Sequence, residues 1–296
     1  MYYILYNALS RNKQCLEYSR LLLGNSVPDD AQMIELSSIK SYTDFWASID
    51  LQNDTVILSG GDGTLNRFIN ENHGLTLPQK LFYFASGSGN DFKKDVADDD
   101  TILIPLHKYI HDLPTVTVNG KTSYFINGIG YGIDGYCCEV GDQQKLKSDK
   151  PVNYTAIAIK GLLFHFKPTN AKVTVDGVTK EYKRVWIAPT MKGRYYGGGM
   201  FVTPDQDRFD PEGKVSFATL HNSGALHTLM IFPSIFKGKH VEHTKQFEVR
   251  TGNEITVEFD RPTALQIDGE TVLGVTSYTV KSGKLAQKKE TAAAEV

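Results

Sequence analysis

Between Asp54 and Asn70 the chain runs strand, glycine-rich turn, helix, and that order limits the folds open to it. Thr55-Val56-Ile57-Leu58 is a short, mostly apolar run of the length of a buried strand. Ser59-Gly60-Gly61-Asp62-Gly63-Thr64 follows, and then Leu65, Phe68 and Ile69 fall at helical spacing. Three glycines let the backbone turn tightly and approach a ligand with no Cβ in the way. The N–H groups of the first helical turn, with the helix dipole behind them, favour an anion. Asp62 would repel a phosphate unless it holds a cation or a proton, so the turn suggests a nucleotide with Mg²⁺. A structural turn that holds a strand against a helix is the other reading, and one glycine-rich turn alone favours it.

The surrounding pattern sets this turn in an α/β domain. Residues 2–6, 33–36, 55–58 and 81–85 read as strands, with helices over 13–23, 41–49 and after Thr64. Strands spaced by helices imply right-handed βαβ units and a parallel, Rossmann-like sheet. Such sheets bind ligands at the carboxyl ends of their strands. Residues 7–10, 37–38, 59–64 and 86–91 all lie at those ends, so these loops are expected to converge. After Pro114 the pattern changes to short strands, with hairpin turns at Asn119-Gly120 and Asp176-Gly177. That density of strands implies an antiparallel sandwich or barrel. The expected organisation is residues 1–112 as the α/β domain, 113–280 as the β-sandwich domain and 281–296 as a polar tail. Two apolar helices, over 152–166 and 223–236, interrupt the second domain. Each has either a core face or a lipid-facing surface to offer.

Composition excludes several classes. A net charge of −2 does not suit a nucleic-acid binder. Cys15, Cys137 and Cys138 form no CxxC pair, which fits reduced thiols in a cytoplasmic protein. The first residues lack the basic and cleavage regions of a signal peptide. No run reaches the length of a membrane span, so a lipid substrate is expected to be met from the aqueous side, with peripheral membrane association. None of the eight histidines is read as a metal ligand. The oligomeric state, monomer or homodimer, is not legible in the sequence.

Gly60-Gly61-Asp62-Gly63-Thr64 matches the GGDGT signature of diacylglycerol-kinase-type lipid kinases and NAD kinases. Gly87-Ser88-Gly89-Asn90-Asp91-Phe92 resembles the lipid kinases' GTGNDF, and Asp268-Gly269-Glu270 their DGE. With Asn7-Ala8-Leu9-Ser10 similar to a weakened NPxSG, the chain resembles the diacylglycerol kinase catalytic-domain family in its soluble bacterial form. The resemblance implies an ATP- and Mg²⁺-dependent lipid kinase acting on diacylglycerol or a related acceptor. It implies nucleotide contacts at Asn7, Ser10, Gly60, Gly61, Asp62, Gly63, Thr64, Asn66 and Ser88. It makes Glu270 the general base, with Asp62 a rival, and Asp268 a Mg²⁺ organiser. Asp210 and Glu212, in an acidic loop similar to the family's PxAxxxDDG segment, are a second candidate metal site. Spacing alone reads Asp268-Gly269 as a hairpin turn and 205–213 as a solvated acidic loop. NAD kinase and a non-catalytic nucleotide-binding regulator are the alternative functions; Gly87–Phe92 argues against the first, and the intact Asp62, Asp268 and Glu270 against the second.

Overall fold

A computed structural model of the chain describes residues 1–10, 14–147 and 152–285. The tail expected over 281–296 lies outside the described residues from 286 onward. The chain divides into two units, Met1–His111 and Asp112–Val296.

The first unit carries a five-stranded sheet of order β2-β1-β3-β4-β5. Its strands are β1 (Tyr2–Tyr6), β2 (Gln32–Glu35), β3 (Thr55–Gly60), β4 (Lys80–Ala85) and β5 (Ile104–Pro105). β1 pairs in parallel with β2 and β3, and β3 with β4, while β5 closes the edge antiparallel. The helices are α1 (Cys15–Arg20), α2 (Tyr42–Ala47), α3 (Asp62–Glu71), α4 (Asp91–Val96) and the short α5 (His107–Ile110). β3 is buried at every position, as a central parallel strand covered on both faces must be. α3 turns Leu65, Phe68 and Ile69 inward, as their spacing predicts. Trp46 of α2 packs against Phe68 and donates its indole N–H to Asn72 at 2.7 Å, which fixes α2 against α3.

The second unit is an antiparallel assembly of ten strands with a separate two-stranded ribbon. Three of its hairpins are closed by two residues at positive φ: Asn119-Gly120 joins β6 (Thr115–Val118) to β7 (Lys121–Tyr124), Asp176-Gly177 joins β9 (Thr169–Val175) to β10 (Val178–Val185), and Asp268-Gly269 joins β16 (Glu254–Ile267) to β17 (Glu270–Lys281). Positive φ at both turn residues is the type I′ geometry that matches the twist of the strands. β16 is one bent strand whose register shifts between Glu258 and Thr263. Its first half pairs with β9, and its last residues, Leu265–Ile267, pair with β8 (Gly128–Tyr131). The core under these strands includes Val116, Ile129, Tyr131, Val173, Phe217, Val257, Leu265 and Tyr278.

Helix α6 (Ile133–Lys147) has no counterpart among the sequence expectations. Gly135 and Gly141 interrupt its pattern and read as breakers. Gly135 is there for packing, because a Cβ at that position would lie 1.8 Å from the carbonyl oxygen of Ala264. The helix expected over 152–166 is α7 (Tyr154–Lys160) continued by a π-helical turn, Gly161–His165, which Phe166 N closes onto Gly161 O at 2.8 Å. The one expected over 223–236 is α8 (Ala225–Ile231), tightened to a 3₁₀ turn over Phe232–Lys237 where Pro233 removes a donor. Both helices bury an apolar face in one core, through Ile157, Ala158 and Leu162 from the first and Ile231 and Ile235 from the second. No helix among the described residues is long and apolar enough to cross a membrane.

Candidate active site

In the first unit, the turn after β3 is built by close backbone contact. A Cβ at Gly87 would lie 2.4 Å from the Cα of Gly61, so the two glycine-rich loops touch main chain to main chain. Tyr83 is wholly buried beneath them and donates its hydroxyl to Gly60 O at 3.0 Å. Burial, reinforced by Asp62, holds that hydroxyl protonated well above the usual tyrosine range.

Asp62 begins α3, yet its carboxylate faces α4. One oxygen accepts from Asp91 N at 2.9 Å and the other from Phe92 N at 3.0 Å. The negative charge in the turn is therefore met by two amides of the neighbouring helix, a compensation the local sequence does not reveal. Asn90, in the left-handed region at φ 53°, steers the chain into α4 and donates to Ala85 O and Gly87 O. Thr64 is a point of convergence. Its hydroxyl oxygen accepts from Asn7 Nδ2 at 2.9 Å and lies 3.0 Å from Ser10 Oγ. Asn66, two residues on, is buried, and Asn70 Nδ2 donates to its backbone carbonyl oxygen at 3.0 Å; Ser88 is exposed on the adjoining loop. Asn7, Ser10, Thr64 and the turn residues Gly60–Gly63 are thus brought together.

Sequence reasoning missed the layer below. Ser59 Oγ lies 2.7 Å from Ser19 Oγ and 2.9 Å from Ser86 Oγ, and Cys15 Sγ is 3.1 Å from Ser86 Oγ. This buried polar cluster ties α1 to the ends of β3 and β4. Ser59 lies near the end of β3 and Ser86 follows β4, which was the one available signal.

In the second unit, Asp268 is buried in the β16–β17 turn. Its carboxylate accepts three backbone N–H groups: Ile126 at 2.6 Å, Asn127 at 2.9 Å and Gly128 at 2.8 Å. Two of these residues are also held by Arg208, which donates to Ile126 O and, at 3.1 Å, to Asn127 Oδ1. Lys192 N and Gly193 N both donate to Asn127 O. Burial, with Arg208 nearby, lowers the Lys192 ammonium from its ordinary range. Arg208, Lys192 and Asn127 carried no sequence signal, since their partners lie far along the chain. Glu270, the next residue but one after Asp268, is exposed at the start of β17.

In the acidic loop, Asp210 Oδ1 accepts from Glu212 N at 2.9 Å and Lys214 N at 3.0 Å. The Lys214 amide is the main cause of its lowered carboxyl pKa. Glu212 pairs with Lys214 Nζ at 2.7 Å. Asp210 and Glu212 are thus engaged in a turn and a surface ion pair. Among the described residues no group of three or more His, Cys, Asp or Glu side chains is gathered as a metal cage. Mg²⁺ commonly takes only one or two carboxylates and completes its shell with water and phosphate oxygens, so the all-oxygen donors of these loops suit it chemically.

The family model for the diacylglycerol kinase catalytic domain matches residues 2–113, and that for the YegS C-terminal NAD kinase beta sandwich-like domain matches residues 127–284. The chain belongs to the diacylglycerol kinase catalytic-domain family. The Mycobacterium tuberculosis protein named diacylglycerol kinase is 25% identical over 230 residues, which is 73% of this chain and 70% of that one. A Bacillus subtilis relative named as a candidate lipid kinase, YtlR, is 24% identical over 254 residues, 77% of each chain. A crystal structure of a diacylglycerol kinase from Bacillus anthracis aligns at TM-score 0.58 and 16% identity, covering 96% of this chain and 94% of that one, a likeness of fold. In this member of the family the motif residues GGDGT and GSGNDF form the touching loops of the first unit, and DGE forms the hairpin of the second.

Proposed function

We propose that this protein is a lipid kinase that transfers the γ-phosphate of ATP, with Mg²⁺, to the hydroxyl of diacylglycerol or a related lipid. The observation that carries the reading is the match of the catalytic-domain family over residues 2–113, centred on a turn in which Asn7, Ser10 and Thr64 meet. Phosphoryl transfer asks the protein mainly for positioning and for charge stabilisation. In this reading the Gly60–Thr64 turn holds the nucleotide phosphates with backbone N–H groups, while Asn7, Ser10, Asn66 and Ser88 fix the rest of the nucleotide. Asp62, whose carboxylate joins the two glycine-rich loops by accepting two amides of α4, would meet the metal through its remaining lone pairs. Mg²⁺, when bound, neutralises charge on the phosphates.

In the second unit Glu270 receives the acceptor proton as the lipid hydroxyl attacks phosphorus. It is exposed, which a group that must meet a substrate has to be. Asp268 presents it: three amides lock the hairpin, and Glu270 leaves that hairpin in a fixed direction. A metal-organising part for Asp268, and a structural Mg²⁺ at Asp210 and Glu212, belong to the same proposal.

The acceptor is tested by offering labelled ATP with diacylglycerol in mixed micelles and, separately, with NAD. Label that partitions into the organic phase only with diacylglycerol supports the reading. Label on NAD makes the protein an NAD kinase. Nucleotide binding with no transfer to either acceptor would favour the non-catalytic alternative.

A further inference from the structure

We propose that the paired outer faces of α7 with its π turn and α8 with its 3₁₀ turn form a docking surface for an anionic lipid bilayer. This rests on the lipid-kinase reading for its purpose but on separate residues for its evidence. Both helices bury their inner faces in one core and pack side by side, so their outer faces look out from the same side of the second unit. Those outer faces are apolar. Phe164 is 77% exposed, Leu226 72% and Met230 73%, with Phe236 and Ile159 also exposed. Leu226 and Met230 are one helical turn apart and so stand together.

Within the π turn Phe164 faces outward while Leu162 stays buried. Large apolar side chains held in water at this density mark an interaction surface.

The charges decide the occupant. Over residues 152–167 and 221–242 the four lysines Lys160, Lys167, Lys237 and Lys239 stand against a single acidic residue, Glu242. All four lysines are exposed. A two-fold contact with a second copy would bring two patches of the same positive sign together, because such an interface presents the same patch from both sides. An anionic membrane meets them with opposite charge, while the apolar side chains enter the boundary between head groups and acyl chains, as interfacial helices do.

The test is co-sedimentation of the full chain with vesicles, without nucleotide. Phosphatidylcholine vesicles containing phosphatidylglycerol should retain the protein better than phosphatidylcholine alone. Lys237→Ala with Lys239→Ala should weaken binding to the anionic vesicles by about 25-fold, roughly fivefold per lysine, and the loss should shrink at high salt. Leu226→Ser with Met230→Ser should weaken binding by roughly tenfold or more. Both pairs are exposed, so melting temperatures should match the wild type. Phosphorylation of a water-soluble short-chain diacylglycerol, which tests the kinase reading by itself, should be unchanged in both variants. Wild-type protein that ignores anionic vesicles, or variants that bind them as well as it does, would overturn the proposal. So would a dimer in sedimentation equilibrium that Leu226→Ser with Met230→Ser dissolves, since that assigns the face to a second copy.

Discussion

The three amides that converge on Asp268 come from residues 140 to 142 positions earlier in the chain, and they fix the hairpin from which Glu270 projects. A carboxylate that accepts several backbone N–H groups cannot be replaced by an amide without turning an N–H donor against another. Asp268→Asn is therefore expected to cost about 1–3 kcal/mol in unfolding free energy and to slow turnover by misplacing Glu270. Denaturant melts read alongside kcat check both effects, and a variant of full stability would remove the positioning role. His240 is a second buried group with a readable consequence. Its Nε2 lies 2.9 Å from Val202 O, and burial lowers its pKa from the ordinary value of 6.5. A histidine kept neutral in the folded state takes up its proton more readily when unfolded. Stability should therefore fall as pH drops below about 6.5 and level off once the folded-state pKa is passed. Melting temperatures across that range for the wild type and His240→Gln check it, the variant showing the weaker dependence. Asp62 at this scale was legible only in part. Its place in the turn was clear from the glycines around it. Its amide partners were not, because they belong to a helix that begins 29 residues later.

At the scale of elements, what the sequence showed and what it hid divide along physical lines. Two-residue Asn-Gly and Asp-Gly turns were legible because few residues tolerate two consecutive positive φ values, and those pairs do. The Asp268-Gly269 hairpin is such a turn and also the family's DGE element, so its local and functional readings both fall on the same residues. Helix α6 was hidden, because Gly135 obeys a packing requirement rather than helix propensity. Gly135→Ala separates the two. Propensity alone predicts a gain of up to ~1 kcal/mol. Contact with the Ala264 carbonyl predicts a net loss of about 1–3 kcal/mol and a melting temperature lower by several degrees. An unchanged or raised melting temperature would mean that α6 can shift away from β16 at little cost. The acidic loop tests the other uncertain element. Mg²⁺ should raise the melting temperature of the wild type, and Asp210→Ala should lose that rise. If the variant responds to Mg²⁺ as fully as the wild type, Asp210 is a turn cap for the Glu212 and Lys214 amides and nothing more.

At the scale of the whole molecule, the α/β unit and the antiparallel unit were both legible, because each has its own hydrophobic period: apolar runs alternating with helical spacing before residue 110, and closely spaced short strands after it. The candidate site residues were legible only where a motif is continuous in sequence, as in Gly60–Thr64 and Asp268–Glu270. Clusters assembled from distant segments, such as Arg208 with Ile126 and Asn127, or Ser19 with Ser59 and Ser86, leave no local pattern to read. The proposed reaction turns on Glu270 as the base for phosphoryl transfer to a lipid hydroxyl. Its most direct test is the rate at which label moves from γ-labelled ATP into diacylglycerol, compared between the wild type and Glu270→Gln at saturating nucleotide. A general base contributes on the order of 10²- to 10⁴-fold. The expected outcome is organic-phase label from the wild type, a loss of that size in Glu270→Gln, and an unchanged apparent affinity for ATP. Near-normal turnover in Glu270→Gln, or no label in the lipid from the wild type, would contradict it.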